Sequence, residues 1–105
     1  MSIRIEKGKC RGCGACLEVC PGNLIFRDGE GKAFIPKPYN CWACVSCVKA
    51  CPFGAISMEL EPEIDGRGGA LRVEKTAGGY DWKIIGRSGE IRRIFKMKTK
   101  EANKY

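Results

Sequence analysis

The chain has 105 residues, 44% of them hydrophobic when its eight cysteines are counted, with 19 lysines and arginines, 12 acidic residues and no histidine. So short a chain buries little surface, and a thin core of this kind needs metals, cross-links or a partner to supplement it. No run approaches eighteen apolar residues and the first ten, MSIRIEKGKC, contain no apolar leader, which argues against a helical membrane span and a secretory signal and makes a reducing cytoplasm the expected compartment.

At the N-terminus, Ile3 and Ile5 alternate with Arg4 and Glu6, the pattern of a short strand. CRGCGACLEVCP follows at residues 10–21, a C-x2-C-x2-C-x3-C-P run made of Cys10, Cys13, Cys16, Cys20 and Pro21. Between its third and fourth cysteines, Leu17 to Val19 suit a helical turn that Pro21 would stop. Leu24–Arg27 and Lys32–Pro36 flank Asp28-Gly29-Glu30-Gly31 and read as a hairpin. CWACVSCVKACP at residues 41–52 then repeats the first run: Cys41, Cys44, Cys47 and Cys51 each lie 31 residues after their counterparts, Pro52 answers Pro21, and Ile56 answers Ile25. Val48 to Ala50 suit a second helical turn, and Ala55–Met58 closes a pseudo-symmetric core.

Three chemistries compete for eight cysteines in two copies of one run. Disulfides suit a secreted chain, and cysteines two residues apart in a tight loop are poorly placed to bridge each other. Zinc takes four ligands, usually as two separated C-x2-C pairs and often with histidine. Three cysteines crowded into one turn suit an iron–sulfur cube, whose separate corners each take one thiolate from a closely wrapped loop. Residues 1–58 thereby resemble two-[4Fe-4S] ferredoxins. In those proteins the fourth cysteine of each run ligates the other cluster, which implies cluster I on Cys10, Cys13, Cys16 and Cys51, and cluster II on Cys41, Cys44, Cys47 and Cys20. Four thiolates per cluster leave no open coordination position, so one-electron transfer is the expected work. The small residues Gly12, Gly14, Ala15, Ala43 and Ser46 would let backbone approach the sulfurs. Trp42, directly after Cys41, is either a lid that keeps water from the second cluster or an aromatic contact on the electron path.

An acidic, Gly-rich connector is expected at 59–69, and a basic β-rich tail at 70–105. Three strand-like runs occupy that tail: 70–75, with Leu71 and Val73 inward; 80–87, with Tyr80, Trp82 and Ile84 on one face; and 91–98, paired to the second through Ser88-Gly89. Ile94 and Phe95 are adjacent, so the last run offers apolar groups to both faces. Residues 1–65 balance eight basic against eight acidic side chains, whereas 66–105 carry eleven against four, which is the whole formal excess of +7. Those cations alternate with core-like apolar residues, with neither stacking aromatics nor a helix-turn-helix pattern, so docking to a protein fits better than binding nucleic acid. The fold class expected is α+β: a ferredoxin-like, pseudo-symmetric two-cluster head with a small antiparallel β extension.

CWACVSCVKACPFGAI, the PGNLI after the first run, and GGYDWKIIGRSGEIRRIFKMKTKEAN together resemble the β subunits of adenylylsulfate reductase. The resemblance implies an electron-transfer subunit, not a catalyst by itself, holding two [4Fe-4S] clusters and docked through residues 66–105 to an α subunit that carries FAD and interconverts adenylylsulfate with sulfite and AMP. It implies Trp42 between a cluster and the flavin, with the cluster of Cys10, Cys13, Cys16 and Cys51 as the nearer one. A freely diffusing ferredoxin is the alternative; it would require the apolar faces of residues 70–98 to be covered within the chain.

Overall fold

In the computed structural model, which describes residues 2–60 and 68–101, the N-terminal alternation becomes strand β1 (Ile3–Ile5), with Ile3 buried and Arg4 exposed. Each cysteine run is an irregular loop that enters one turn of helix, α1 (Ala15–Val19) and α2 (Ser46–Ala50). Both begin two residues earlier than the sequence suggested, because a left-handed residue, Gly14 (φ 80°) or Val45 (φ 67°), reverses the loop just ahead of them. Both end where the residue before a proline is forced out of helical geometry: Cys20 and Cys51 are extended, with ψ 113° in each.

The expected hairpin is β2 (Phe26–Arg27) against β3 (Ala33–Phe34), shorter than the sequence pattern. Asp28 ties its turn by accepting hydrogen bonds from the N–H groups of Glu30 (2.9 Å) and Lys32 (3.0 Å). Strand β4 (Ile56–Glu59) lies antiparallel to β1, pairing Ile3 with Met58 and Ile5 with Ile56. The buried core is small and drawn from both halves of the duplication, with Ile3, Ile25, Val48, Ile56 and Met58 as its main side chains.

The extension forms β5 (Ala70–Thr76), β6 (Gly79–Ile85) and β7 (Ile91–Lys98). These are not a sheet of their own. One five-stranded sheet runs β1-β4-β5-β6-β7, and β5 joins β4 through the pairs Met58–Leu71 and Glu59–Ala70. A sheet with an apolar face must bury it against another element, and the free edge of β4 offers the extension a place to continue beside α2. The connector expected at 59–69 therefore joins neighbouring strands, with the Leu60 N–H donating to the Gly69 carbonyl at 2.9 Å. Its central residues, 61–67, lie outside those described, as do 102–105 of the expected tail.

Side chains lock the two parts together. Val73 of β5 is buried beneath α2, the Lys49 ammonium sits 4.7 Å from the centre of the Tyr80 ring, and the Arg72 guanidinium meets the Glu6 carboxylate at 2.6 Å. At the far end, Gly79 faces Lys98 across the β6–β7 pair, and a Cβ there would collide with the Met97 carbonyl oxygen. Backbone cannot step aside as a side-chain tip can. Gly79→Ala is therefore expected to cost about 1–3 kcal/mol of stability, read as a lower denaturation midpoint at unchanged iron content.

Candidate functional site

The eight cysteines separate into two sets in space. Cys10, Cys13, Cys16 and Cys51 line one cavity, and Cys20, Cys41, Cys44 and Cys47 line the other. The fourth cysteine of each run thus reaches the cavity built by the other run, because helices α1 and α2 pack side by side and deliver their C-terminal residues across the interface. Both cavities are narrow, of matching size and partly open to solvent. All eight thiols are free of disulfides. Among the described residues no three histidine, cysteine, aspartate or glutamate side chains converge on a single-ion position; the thiols surround a volume instead, the arrangement a multi-iron cube takes.

The duplication is visible in exposure as well. In each set the third cysteine of its run, Cys16 or Cys47, is buried, the second, Cys13 or Cys44, is exposed, and the rest are half-buried. Burial raises the Cys16 thiol above its ordinary pKa and pushes Cys47 up to about 12. Hydrogen bonds act the other way at Cys10, where the Ala33 N–H and then the Gly12 N–H lower the thiol, and at Cys44, where the Ser46 hydroxyl leads. Backbone N–H groups point at sulfur from Leu24 to Cys20 (3.4 Å), from Ala33 to Cys10 (3.4 Å) and from Ala43 to Cys41 (3.5 Å). Buried thiols ringed by such donors ionise when a metal offsets the desolvation cost, and N–H bonds to sulfur then tune the bound group. The donor set fits [4Fe-4S] clusters.

Close approach to sulfur demands unusual backbone. Gly12 has φ 72°, and a Cβ there would lie 2.7 Å from the Gly31 carbonyl oxygen, so the first loop needs glycine. At the matching positions of the second loop stand Ala43 (φ 56°) and Val45 (φ 67°). A β-branched residue in the left-handed region is strained, and the second loop holds that strain at its cavity. The 31-residue offset carries this information: Gly12 answers Ala43 and Gly14 answers Val45. Of the small residues singled out in the sequence, Ala15 and Ser46 open the two helices, and Ser46 is a direct partner of a thiol as well.

Trp42 is 64% exposed and lines the cavity of Cys20, Cys41, Cys44 and Cys47. The indole lies with the second set of thiols, beside which the sequence places it. Its ring fills the space a side chain at residue 22 would take, since a Cβ on Gly22 would lie 3.1 Å from the indole nitrogen. The first cavity reverses that exchange. Its aromatic is Phe53, the counterpart of Gly22, and Arg11 stands where the second has Trp42. Neither Phe53 nor Arg27, which also lines the first cavity, was singled out from sequence.

The 4Fe-4S dicluster domain family matches residues 9–68. The adenylylsulfate reductase subunit beta of Megalodesulfovibrio gigas is 34% identical to this chain, over 94% of the chain and 64% of that subunit. The electron transport protein HydN of Escherichia coli K12 is 39% identical over 61% of this chain and 37% of its own length. A chain from a solved structure of adenosine 5'-phosphosulfate reductase in complex with substrate superposes with a TM-score of 0.72 at 31% identity, covering 98% of this chain and 74% of that one. The present chain thus spans somewhat less than two thirds of the M. gigas subunit, and the likeness to it covers most of the β5–β7 extension.

Proposed function

This chain belongs to the 4Fe-4S dicluster domain family, and from that premise we propose that it is the electron-transfer subunit of an adenylylsulfate reductase. Cys10, Cys13, Cys16 and Cys51 would hold one [4Fe-4S] cluster, and Cys41, Cys44, Cys47 and Cys20 the other. Bound there, each cluster supplies a one-electron carrier. The chain's own work is to hold eight thiolates with backbone donors, keep water out with apolar walls, and present one mouth to a flavoprotein. That partner would carry FAD and use two electrons, delivered one at a time, to reduce adenylylsulfate to sulfite and AMP, or release them in reverse.

One observation carries this reading over that of a free ferredoxin: the apolar face of the extension is open. Leu71, Tyr80, Trp82, Ile84, Phe95 and Met97 line a groove of about 580 Å³ beside Lys49 and Lys98. Ile91 and Ile94 add exposed apolar surface on β7. Contiguous apolar surface of this kind marks a docking site, and it lies in the extension shared with the M. gigas subunit. Trp42 stands at the mouth of the second cavity with no charged residue among the described ones lining it, as a desolvated contact to a permanent partner requires.

The test is anaerobic purification with the flavoprotein, followed by assays for FAD and for adenylylsulfate-dependent sulfite release. A stoichiometric FAD protein with that activity supports the reading; a lone two-cluster chain refutes it. Within the complex, Trp42→Ala is expected to slow electron delivery about tenfold, about 1.4 kcal/mol in barrier, with both clusters assembled. An unchanged single-turnover rate of flavin reduction would remove Trp42 from the path.

A further inference from the structure

The two cavity mouths differ in chemistry. The second is lined by uncharged side chains and Trp42. The first is lined by two arginines, Arg11 and Arg27, with Phe53 46% exposed beside them. The 31-residue offset makes the contrast sharp: the same two structural places hold Trp42 and Gly22 at one mouth, Arg11 and Phe53 at the other. Among the described residues each mouth has one aromatic, and the first alone has cations.

Those cations are available. The Arg27 guanidinium donates to the Gly12 carbonyl at 3.3 Å, and neither Arg27 nor Arg11 pairs with a carboxylate among the described residues. Nearby Asp28 is taken by Lys7 at 2.8 Å and by the N–H groups of its own turn. Lys32 also lies on this side, its ammonium donating to the Lys7 carbonyl at 2.8 Å. Glu30 at the hairpin turn and Glu18 on α1 are exposed acidic groups near this side.

An uncharged, apolar mouth suits a contact that stays closed. A charged rim gains its advantage in encounter, since opposite charges steer a diffusing partner and raise its association rate without making the complex permanent. We propose that the Arg11–Arg27–Phe53 rim docks a small acidic one-electron carrier, a donor served by the mouth that lacks Trp42. One electron leaves the reduced carrier, which is oxidised by one, and enters the site ligated by Cys10, Cys13, Cys16 and Cys51. No proton moves and no bond is made or broken. The assignment rests on the electron-transfer reading above and adds to it a second port with a partner of defined charge.

The test is the affinity of a reduced flavodoxin, a small acidic one-electron flavoprotein, for the two-cluster holoprotein under anaerobic conditions. The wild-type Kd is expected to rise at least about tenfold between about 20 and 200 mM salt. Arg11→Glu should raise the low-salt Kd about tenfold and flatten the salt dependence, and Arg11→Gln should do so to a smaller extent. Trp42→Ala should stay within twofold of wild type, and iron content should be unchanged in all three. Salt-insensitive or absent binding by wild type overturns the assignment. So does an Arg11→Glu Kd within twofold of wild type, or a Trp42→Ala loss that equals it. The flavoprotein complex would still form if this port were wrong, and flavodoxin would still bind if the flavoprotein reading were wrong.

Discussion

Cys51→Ser is expected to lose both clusters and the fold, not one cluster and one cavity. Cys51 leaves the second run and lines the cavity of the first, as Cys20 does in the opposite sense. Both cavities therefore share the α1–α2 contact, and Cys16 and Cys47 are themselves among the buried core residues. Little else would hold the head: its buried side chains are few and mostly medium-sized, and Val48 is the only described residue whose large side chain is fully sequestered. Structural metal sites contribute about 10 kcal/mol or more to folding, against a total stability of about 5–15 kcal/mol for an ordinary domain. Removing one ligand should thus drop iron from about eight atoms per chain to nearly none and abolish the cooperative unfolding transition seen by circular dichroism. Cys20→Ser should do the same from the other side. Retention of about four irons with a normal transition in either variant would show that the halves fold independently.

Extension strands hung on β4 should fall with the head, and this coupling was the least legible part of the sequence. Alternation in residues 70–98 located three strands and the inward side of Val73, and Ser88-Gly89 marked the turn between β6 and β7. What alternation cannot supply is the neighbour. Met58 pairs with Leu71 because the edge of β4 is free and the connector is short enough to fold back, a long-range fact with no local signature. The ferredoxin resemblance grouped the thiols as the two cavities do, Cys51 with Cys10, Cys13 and Cys16, and Cys20 with Cys41, Cys44 and Cys47. Adjacency to Cys41 also put Trp42 beside the second set of thiols, but could not show the packing of its ring against Gly22. That follows from the direction in which the loop leaves Cys41. Phe53 was hidden for a related reason: an exposed phenylalanine after a cysteine-proline pair has no distinctive pattern until the offset aligns it with Gly22.

Phe95→Asp is expected to break the flavoprotein complex while leaving the iron–sulfur head intact. Phe95 is 43% exposed on β7, directly across from Trp82, and with Met97 it forms the outer wall of the open groove. A charge placed there meets water in the free chain and costs little, because β7 is exposed along its whole length. In the complex the same carboxylate would lose its water against an apolar partner surface, and the Arg93 guanidinium, 5.2 Å from the centre of the Phe95 ring, offsets only part of that cost. The affinity should fall at least about 100-fold, about 2.7 kcal/mol, with iron content and denaturation midpoint unchanged. Lys96→Glu is the matched control. Lys96 is the next residue along the strand and points to the opposite face, so its reversal should alter affinity only a few-fold and mainly through salt-dependent association. If Lys96→Glu proved the more damaging, the partner would lie on the basic face and not in the groove. If neither changed binding, β5–β7 would only extend the head's sheet, and the chain would be a free carrier of electrons.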